Sequence, residues 1–210
     1  MEEMFKGGKV AVYAKGDAVP LGSDVHFIRS GVLAVYSHFP RQKKTNRLLL
    51  IRLSGEIFPV RTPQKNSLYS GRTLHYKVLK TLSVVTISRQ KFDQAIRSGK
   101  YGTEMFNTLT NMMSVQGDQI DSLLSTQTMQ RLLERLYYFG MRLGVKSGGR
   151  IIIDVPMTHG EIAESISTTR ETVNRFMREL EQKGIISVRR QTVIIESEKA
   201  LIDLIRAEKV

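Results

Sequence analysis

Cysteine is absent from the 210 residues, which excludes a disulfide framework, an iron–sulfur cluster and a cysteine-ligated zinc site. Four scattered histidines do not make up the loss, and His75 and His159 each stand alone, as surface or packing residues do. There is no paired carboxylate, Ser/His/Asp set, glycine-rich phosphate loop or metal-ligand spacing, so an enzyme is not expected. No apolar run reaches the length of a membrane span, and the opening Met1-Glu2-Glu3-Met4-Phe5 is acidic rather than apolar. The expectation is a cytoplasmic protein with no membrane partner. Acids are scarce in one stretch above all. Residues 41–100 hold fourteen Lys/Arg against two carboxylates, Glu56 and Asp93.

What is present is positive charge. The formal net charge of +12 concentrates anionic partners near the chain and speeds their encounter. Residues 126–210 are nearly balanced, with fourteen Lys/Arg against eleven acids. The length suits two small domains, each able to bury its own core.

The first hundred residues read as short strands. Segments 9–14, 25–29, 32–36, 48–53, 75–79 and 83–87 are rich in Val, Ile, Leu and Tyr. Lys15-Gly16-Asp17, Leu21-Gly22-Ser23-Asp24, Arg29-Ser30-Gly31 and Leu53-Ser54-Gly55 lie between them and permit turns. The pattern predicts an antiparallel β-roll over 1–100, with a polar loop at 59–72. The period then changes. Phe106, Leu109, Met113, Gln116, Ile120 and Leu123 are spaced 3-4-3-4-3, which puts them on one seam of a single long helix over 101–125. Either a second copy pairs along this seam, making it a dimer helix, or the face packs on the β-domain. Gln116 within the seam sets register between two helices or hydrogen-bonds a ligand. A further helix over 127–143 buries Leu132, Leu133, Leu136 and Phe139, and a turn at 146–150 leads to a strand at 151–153.

The last third, 126–210, carries the most specific signal. Thr158-His159-Gly160-Glu161 fits a capping box and starts a helix with Ile162, Ala163 and Ile166 on its buried face. Thr168 with Glu171 offers a second box within a few residues. Val173, Phe176, Met177 and Leu180 then define a core face. The opposite face carries Glu171, Arg175, Arg178 and Gln182, with Arg170 at the entrance and Asn174 on the flank. A hairpin pairing 185–188 with 192–195 places Arg189 and Arg190 at its tip. Arginine bonds guanine O6 and N7 in parallel, and glutamate accepts from the cytosine amino group. Two short helices followed by a basic-tipped wing therefore predict a reader of double-stranded DNA.

Residues 157–195 resemble the winged helix-turn-helix of the CRP/FNR superfamily, through Arg170-Glu171-Thr172-Val173 and Arg175 above all. The order of β-roll, long helix, shorter helix and winged domain is similar too. The resemblance implies an α+β fold: an N-terminal antiparallel β-roll of the cyclic-nucleotide-binding, jelly-roll kind, a dimerisation helix and a C-terminal winged helix-turn-helix. It implies a homodimer on an inverted-repeat operator with a TGTGA-type core, with RNA polymerase as a further partner. Arg170, Glu171 and Arg175 are expected at bases. Thr158, Thr169, Thr172, Asn174, Arg178, Arg189 and Arg190 are expected at phosphates or flanking DNA. Gly160 departs from the family's polar side chain. In the sensor half, Arg72-Thr73 resembles the pair that holds a cyclic phosphate. Its partner segment falls on Arg61-Thr62-Pro63, without the usual glutamate, and Gly55-Glu56-Ile57 lies too early. A degenerate pocket follows, and no cofactor beyond a nucleotide-type anionic effector near Arg72, Thr73 and Gln116. The alternatives are an effector-independent regulator whose basic β-domain meets flanking DNA, and a ligand-binding β-domain protein with no transcriptional role.

Overall fold

The computed structural model describes residues 1–20, 22–38, 46–59, 73–124, 127–154, 157–190 and 192–207. Packing divides the chain into two units, Met1–Val115 and Gln116–Val210. The architecture is α+β, with an antiparallel N-terminal sheet and a helical C-terminal unit that carries a second, smaller sheet.

In the first unit a 3-10 turn (Glu2–Phe5) precedes β1 (Lys9–Tyr13), β2 (Val25–His38), β3 (Asn46–Leu53), β4 (Ile57–Phe58) and β5 (Thr73–Ile87). The sheet runs β1-β5-β2-β3, with β4 paired to β2, all antiparallel. Successive side chains on a strand point to opposite faces. Ile28 and Val84 therefore enter one core with Leu33, Phe58 and Tyr76, whereas Phe27 and Val85 enter another with Phe5, Ile57 and Met105.

Two pairs of expected strands are each a single strand. Segments 25–29 and 32–36 join in β2, and 75–79 and 83–87 join in β5. Arg29-Ser30-Gly31, expected as a turn, is a bulge, because the ladder to β5 slips between Ile28 and Ser30, Ser30 and Val32, and Val32 and Leu33. Gly31 sits at φ +103°, and a Cβ there would lie 2.3 Å from the Thr81 carbonyl oxygen. Glycine serves a bulge with close backbone approach as readily as a turn, and local sequence does not separate the two. Lys15-Gly16 and Ser54-Gly55 do form turns. Apart from Pro59, the expected loop at 59–72 lies outside the described residues.

His26 is 7% exposed. Its ring stacks on Phe58 with centroids 4.8 Å apart, and Nδ1 meets Thr86 Oγ1 at 2.8 Å. Nε2 is buried without a partner among the described residues. Burial pushes its pKa below the ordinary value of 6.5, against the opposing pull of Asp24. The unfolded chain thus takes up a proton first as pH falls, so this stability is intact above about pH 6.5 and is lost progressively below it. The melting temperature should decline from pH 7 to pH 5, and more gently in His26→Phe. Identical slopes would assign the titration to another group.

Beyond the sheet, α1 (Arg89–Arg97) was not expected. Ser88 caps it by accepting from the Lys91 N–H at 3.2 Å. Its apolar stripe is short, Phe92, Ala95 and Ile96, half-buried against the core that contains Phe5 and Met105, and so few residues give a weak helical period. The expected long helix is α2 (Gly102–Leu124). Met105 and Met112 are buried, whereas Phe106, Leu109, Met113 and Ile120 are 69%, 37%, 72% and 59% exposed. Gln116 is exposed as well, and the Leu123 side chain lies outside the described set. Phe106, Met113 and Ile120 are thus largely open to solvent in the single chain, and Leu109 is partly covered.

The second unit contains α3 (Thr128–Leu143), β6 (Val145–Ser147), β7 (Arg150–Ile153), α4 (His159–Ser165), α5 (Arg170–Gln182), β8 (Ile186–Arg189), β9 (Thr192–Ile195) and α6 (Glu198–Ala207). Its antiparallel sheet runs β6-β7-β9-β8. Leu132, Leu133, Leu136 and Phe139 are buried, and α3 packs on β7 and α6. The turn expected at 146–150 tightens to Gly148-Gly149, at φ +57° and +79°, the two positive values that a two-residue hairpin turn of this kind requires. Neither β6 nor α6 was expected.

Candidate nucleic-acid interface

Helix α4 starts where Thr158 places it. Thr158 Oγ1 accepts from the Glu161 N–H at 3.1 Å, and the Glu161 carboxylate accepts from the Thr158 N–H at 2.8 Å, so both halves of the capping box form. Ile162, Ala163 and Ile166 are buried. The helix ends in a Schellman turn. Ser167 lies at φ +55°, the Thr168 N–H donates to the Ala163 carbonyl at 3.0 Å, and the Ser167 N–H donates to that of Glu164 at 3.4 Å. Thr168 is therefore occupied in closing α4. The cap of α5 is Thr169 and not Thr168, its Oγ1 accepting from the Thr172 N–H at 3.2 Å.

A serine in the left-handed region is strained by about 1–2 kcal/mol relative to a right-handed conformation, a cost that glycine avoids. Ser167→Gly is expected to leave stability unchanged or raise it, and Ser167→Val to lower it by about 1–2 kcal/mol. Urea denaturation of the two variants checks this, and equal midpoints would count against the left-handed turn.

On α5, Val173, Met177 and Leu180 are buried. Phe176, expected with them, is only half-buried. At about 100° per residue it falls on the flank of the core stripe, and the Arg175 guanidinium lies over its ring, 4.9 Å from the centroid. Arg170, Glu171, Arg175 and Arg178 are exposed. The Glu171 carboxyl is held below the usual carboxylate range by its own backbone N–H, then by a hydrogen bond with Thr169, and by the Arg170 charge. It is thus an ionised acceptor at a helix N-terminus. Asn174 on the flank is hydrogen-bonded to His159 Nδ1, tying α5 to the first residue of α4. No local signal announces this pair, because its members lie on different helices. Thr172 is half-buried, and its hydroxyl meets that of Thr169 at 3.0 Å.

β8 packs on α5 and leads into the hairpin tip. Arg189 pairs across from Thr192, Arg190 lies at φ +57°, and both are exposed. Arg72 lies outside the described residues, as do Gln191 and the Thr73 side chain, and Gln116 is exposed on α2. Among the described residues there is no group of three or more His, Cys, Asp or Glu placed to hold a metal, and no helix is long and apolar enough to cross a membrane.

Residues 130–204 match the family model described as a Crp-like helix-turn-helix domain. Over 116 residues the chain is 27% identical to the anaerobic regulatory protein of Bacillus subtilis, which is 55% of this chain and 49% of that protein. The chain thus spans about half the length of that relative. Over 153 residues it is 24% identical to the global nitrogen regulator of Nostoc, covering 68% and 69% of the two chains. Among solved structures, FixK2 from Bradyrhizobium japonicum superposes with a TM-score of 0.74 at 18% identity, over 94% of this chain and 96% of that one. A CooA mutant from Carboxydothermus hydrogenoformans gives 0.72 at 19%, over 97% and 90%. At these identities the superpositions show a shared fold running through nearly the whole chain. Fold and exposed arginine face together define a winged helix-turn-helix protein with an antiparallel β-rich N-terminal unit. Residues 130–204 are thus a Crp-like helix-turn-helix domain by the family model, and the chain as a whole shares the fold of FixK2 and CooA.

Proposed function

We propose that the protein is a homodimeric transcription regulator that reads an inverted-repeat operator with α5 in the major groove. The observation that carries this reading is the division of α5 into a buried face, Val173, Met177 and Leu180, and an exposed one with Arg170, Glu171 and Arg175 in its first two turns. Arginine offers two parallel donors to guanine, and the ionised Glu171 accepts from a cytosine amino group. Arg178 and the wing residues Arg189 and Arg190 supply cations for phosphates, while the capped helix starts at Thr158 and Thr169 add donors for the same backbone. These contacts orient the protein without reading sequence.

The dimer is supported by α2, whose exposed Phe106, Leu109, Met113, Gln116 and Ile120 keep the 3-4 spacing of a two-helix seam. Two-fold symmetry then gives half-sites about one helical turn apart. Selection of bound duplexes from a random pool tests both claims together. Enrichment of an inverted repeat with guanine in each half is expected. A pool without enrichment, or an enriched single element with no repeat, would overturn the reading.

A further inference from the structure

We propose that Arg131 and Arg135 of α3 are positioning residues that set the sequence specificity of α5, by clamping the turn that aims it. This rests on the DNA-binding reading above. The last turn of a helix leaves carbonyls without intrahelical donors, and in α4 each of these can be accounted for. The Ser165 hydroxyl donates to the Ile162 carbonyl at 2.7 Å. The N–H groups of residues 166, 167 and 168 serve Ala163 and Glu164. The carbonyls of Ser165 and Ile166 are left, and neither is served from within the turn. Arg135 Nη2 donates to the Ser165 carbonyl at 2.8 Å, and Arg131 Nε donates to that of Ile166 at 3.0 Å.

Two cations from another helix thus complete the end of α4, where the helix dipole is negative. Both are held from behind. Arg131 Nη2 bonds Thr128 Oγ1 at 3.0 Å. Arg135 is 4% exposed, with its guanidinium 5.6 Å from the ring centroids of both Tyr138 and Phe139. A planar guanidinium fork has one geometry for such bonds, and moving it away would leave a buried carbonyl unsatisfied. Only Ser167, Thr168 and Thr169 separate the clamped carbonyls from Arg170. Thr168 is committed to Ala163 and Thr169 to Thr172, so the first turn of α5 inherits its direction from α3. Base reading is intolerant of misplacement, since parallel hydrogen bonds fail when a site loosens by about 1 Å. Phosphate attraction acts over longer range and tolerates it. Loss of the clamp should therefore erode discrimination more than attraction.

The test uses the full chain and the operator recovered by selection. Arg131→Gln, Arg135→Met and Arg135→Lys are compared with the parent for melting, for the ratio of operator to random-duplex affinity at one salt concentration, and for the salt slope on random duplex. Arg131 is only half-buried, so Arg131→Gln remains informative if Arg135→Met fails to fold. Expected is a ratio lowered about ten-fold or more in the folded Arg131→Gln and Arg135→Met variants. The salt slope should be retained, because no phosphate contact is removed, and lysine at 135 should recover part of the ratio. Folded variants with the parent ratio would overturn the clamp while leaving the DNA-binding reading intact. A parent protein that itself shows no preference over random duplex would overturn that reading, and the clamp with it.

Discussion

Replacing Arg170 and Arg175 together by alanine is expected to bring operator binding down to the level of random DNA. Each arginine that bonds guanine in parallel contributes about 1–3 kcal/mol of discrimination, so the pair is worth about two to four orders of magnitude per half-site. Stability should change little. Both side chains are exposed, and exposed substitutions away from caps and cores usually stay within about 0.5 kcal/mol. Arg175 gives up only its stacking on the half-buried Phe176. The check is a fluorescence anisotropy titration on the selected operator and on random duplex at one salt concentration. Operator affinity that survives in a folded double variant would rule out α5 as the reading element.

Placing glutamate at both Met113 and Ile120 is the second large change, and it acts through the dimer. Both side chains are mostly solvent-exposed in the single chain, so each copy should fold as before. In the proposed dimer the same positions would face each other, and a carboxylate buried there without a partner would be destabilised by several kcal/mol. The variant is expected to be monomeric in sedimentation equilibrium. A monomer engages one half-site and loses the gain from linking two, about 10²–10⁴-fold in affinity. A half-site duplex should be bound as well by the variant as by the parent protomer. A variant that sediments as a dimer would place the dimer contact elsewhere.

How far these features were legible in the sequence differed from one to the next. The start of α4 was legible because a capping box is local: Thr158 and Glu161 lie three residues apart and satisfy each other. The start of α5 was legible only to within a residue. Thr168 and Thr169 are adjacent and both fit a cap, and the choice fell to the closing bond from Thr168 to Ala163. The sheet shows the same limit. Val and Ile content located the strands, but Gly31 reads alike as a turn and as a bulge until the backbone of Thr81 is seen beside it. Helix α1 was missed because its nine residues carry only Phe92, Ala95 and Ile96 as an apolar stripe, too short a pattern to stand out.

The sequence by itself determined the helix-turn-helix after a β-rich unit, the two apolar periodicities and the arginine face of α5. All of these are set within a few residues of chain, by spacing and capping, and so can be read without knowing what lies across from them. Only the tertiary structure decided which polar residues are committed inside the fold. Asn174 is joined to His159, fifteen positions away, and Arg131 and Arg135 complete the end of a helix thirty or more positions downstream. In sequence these arginines look like the solvated charges of any helix. Their partners are backbone carbonyls, which every residue carries, so no residue type marks the contact and only the folded chain brings its two ends together.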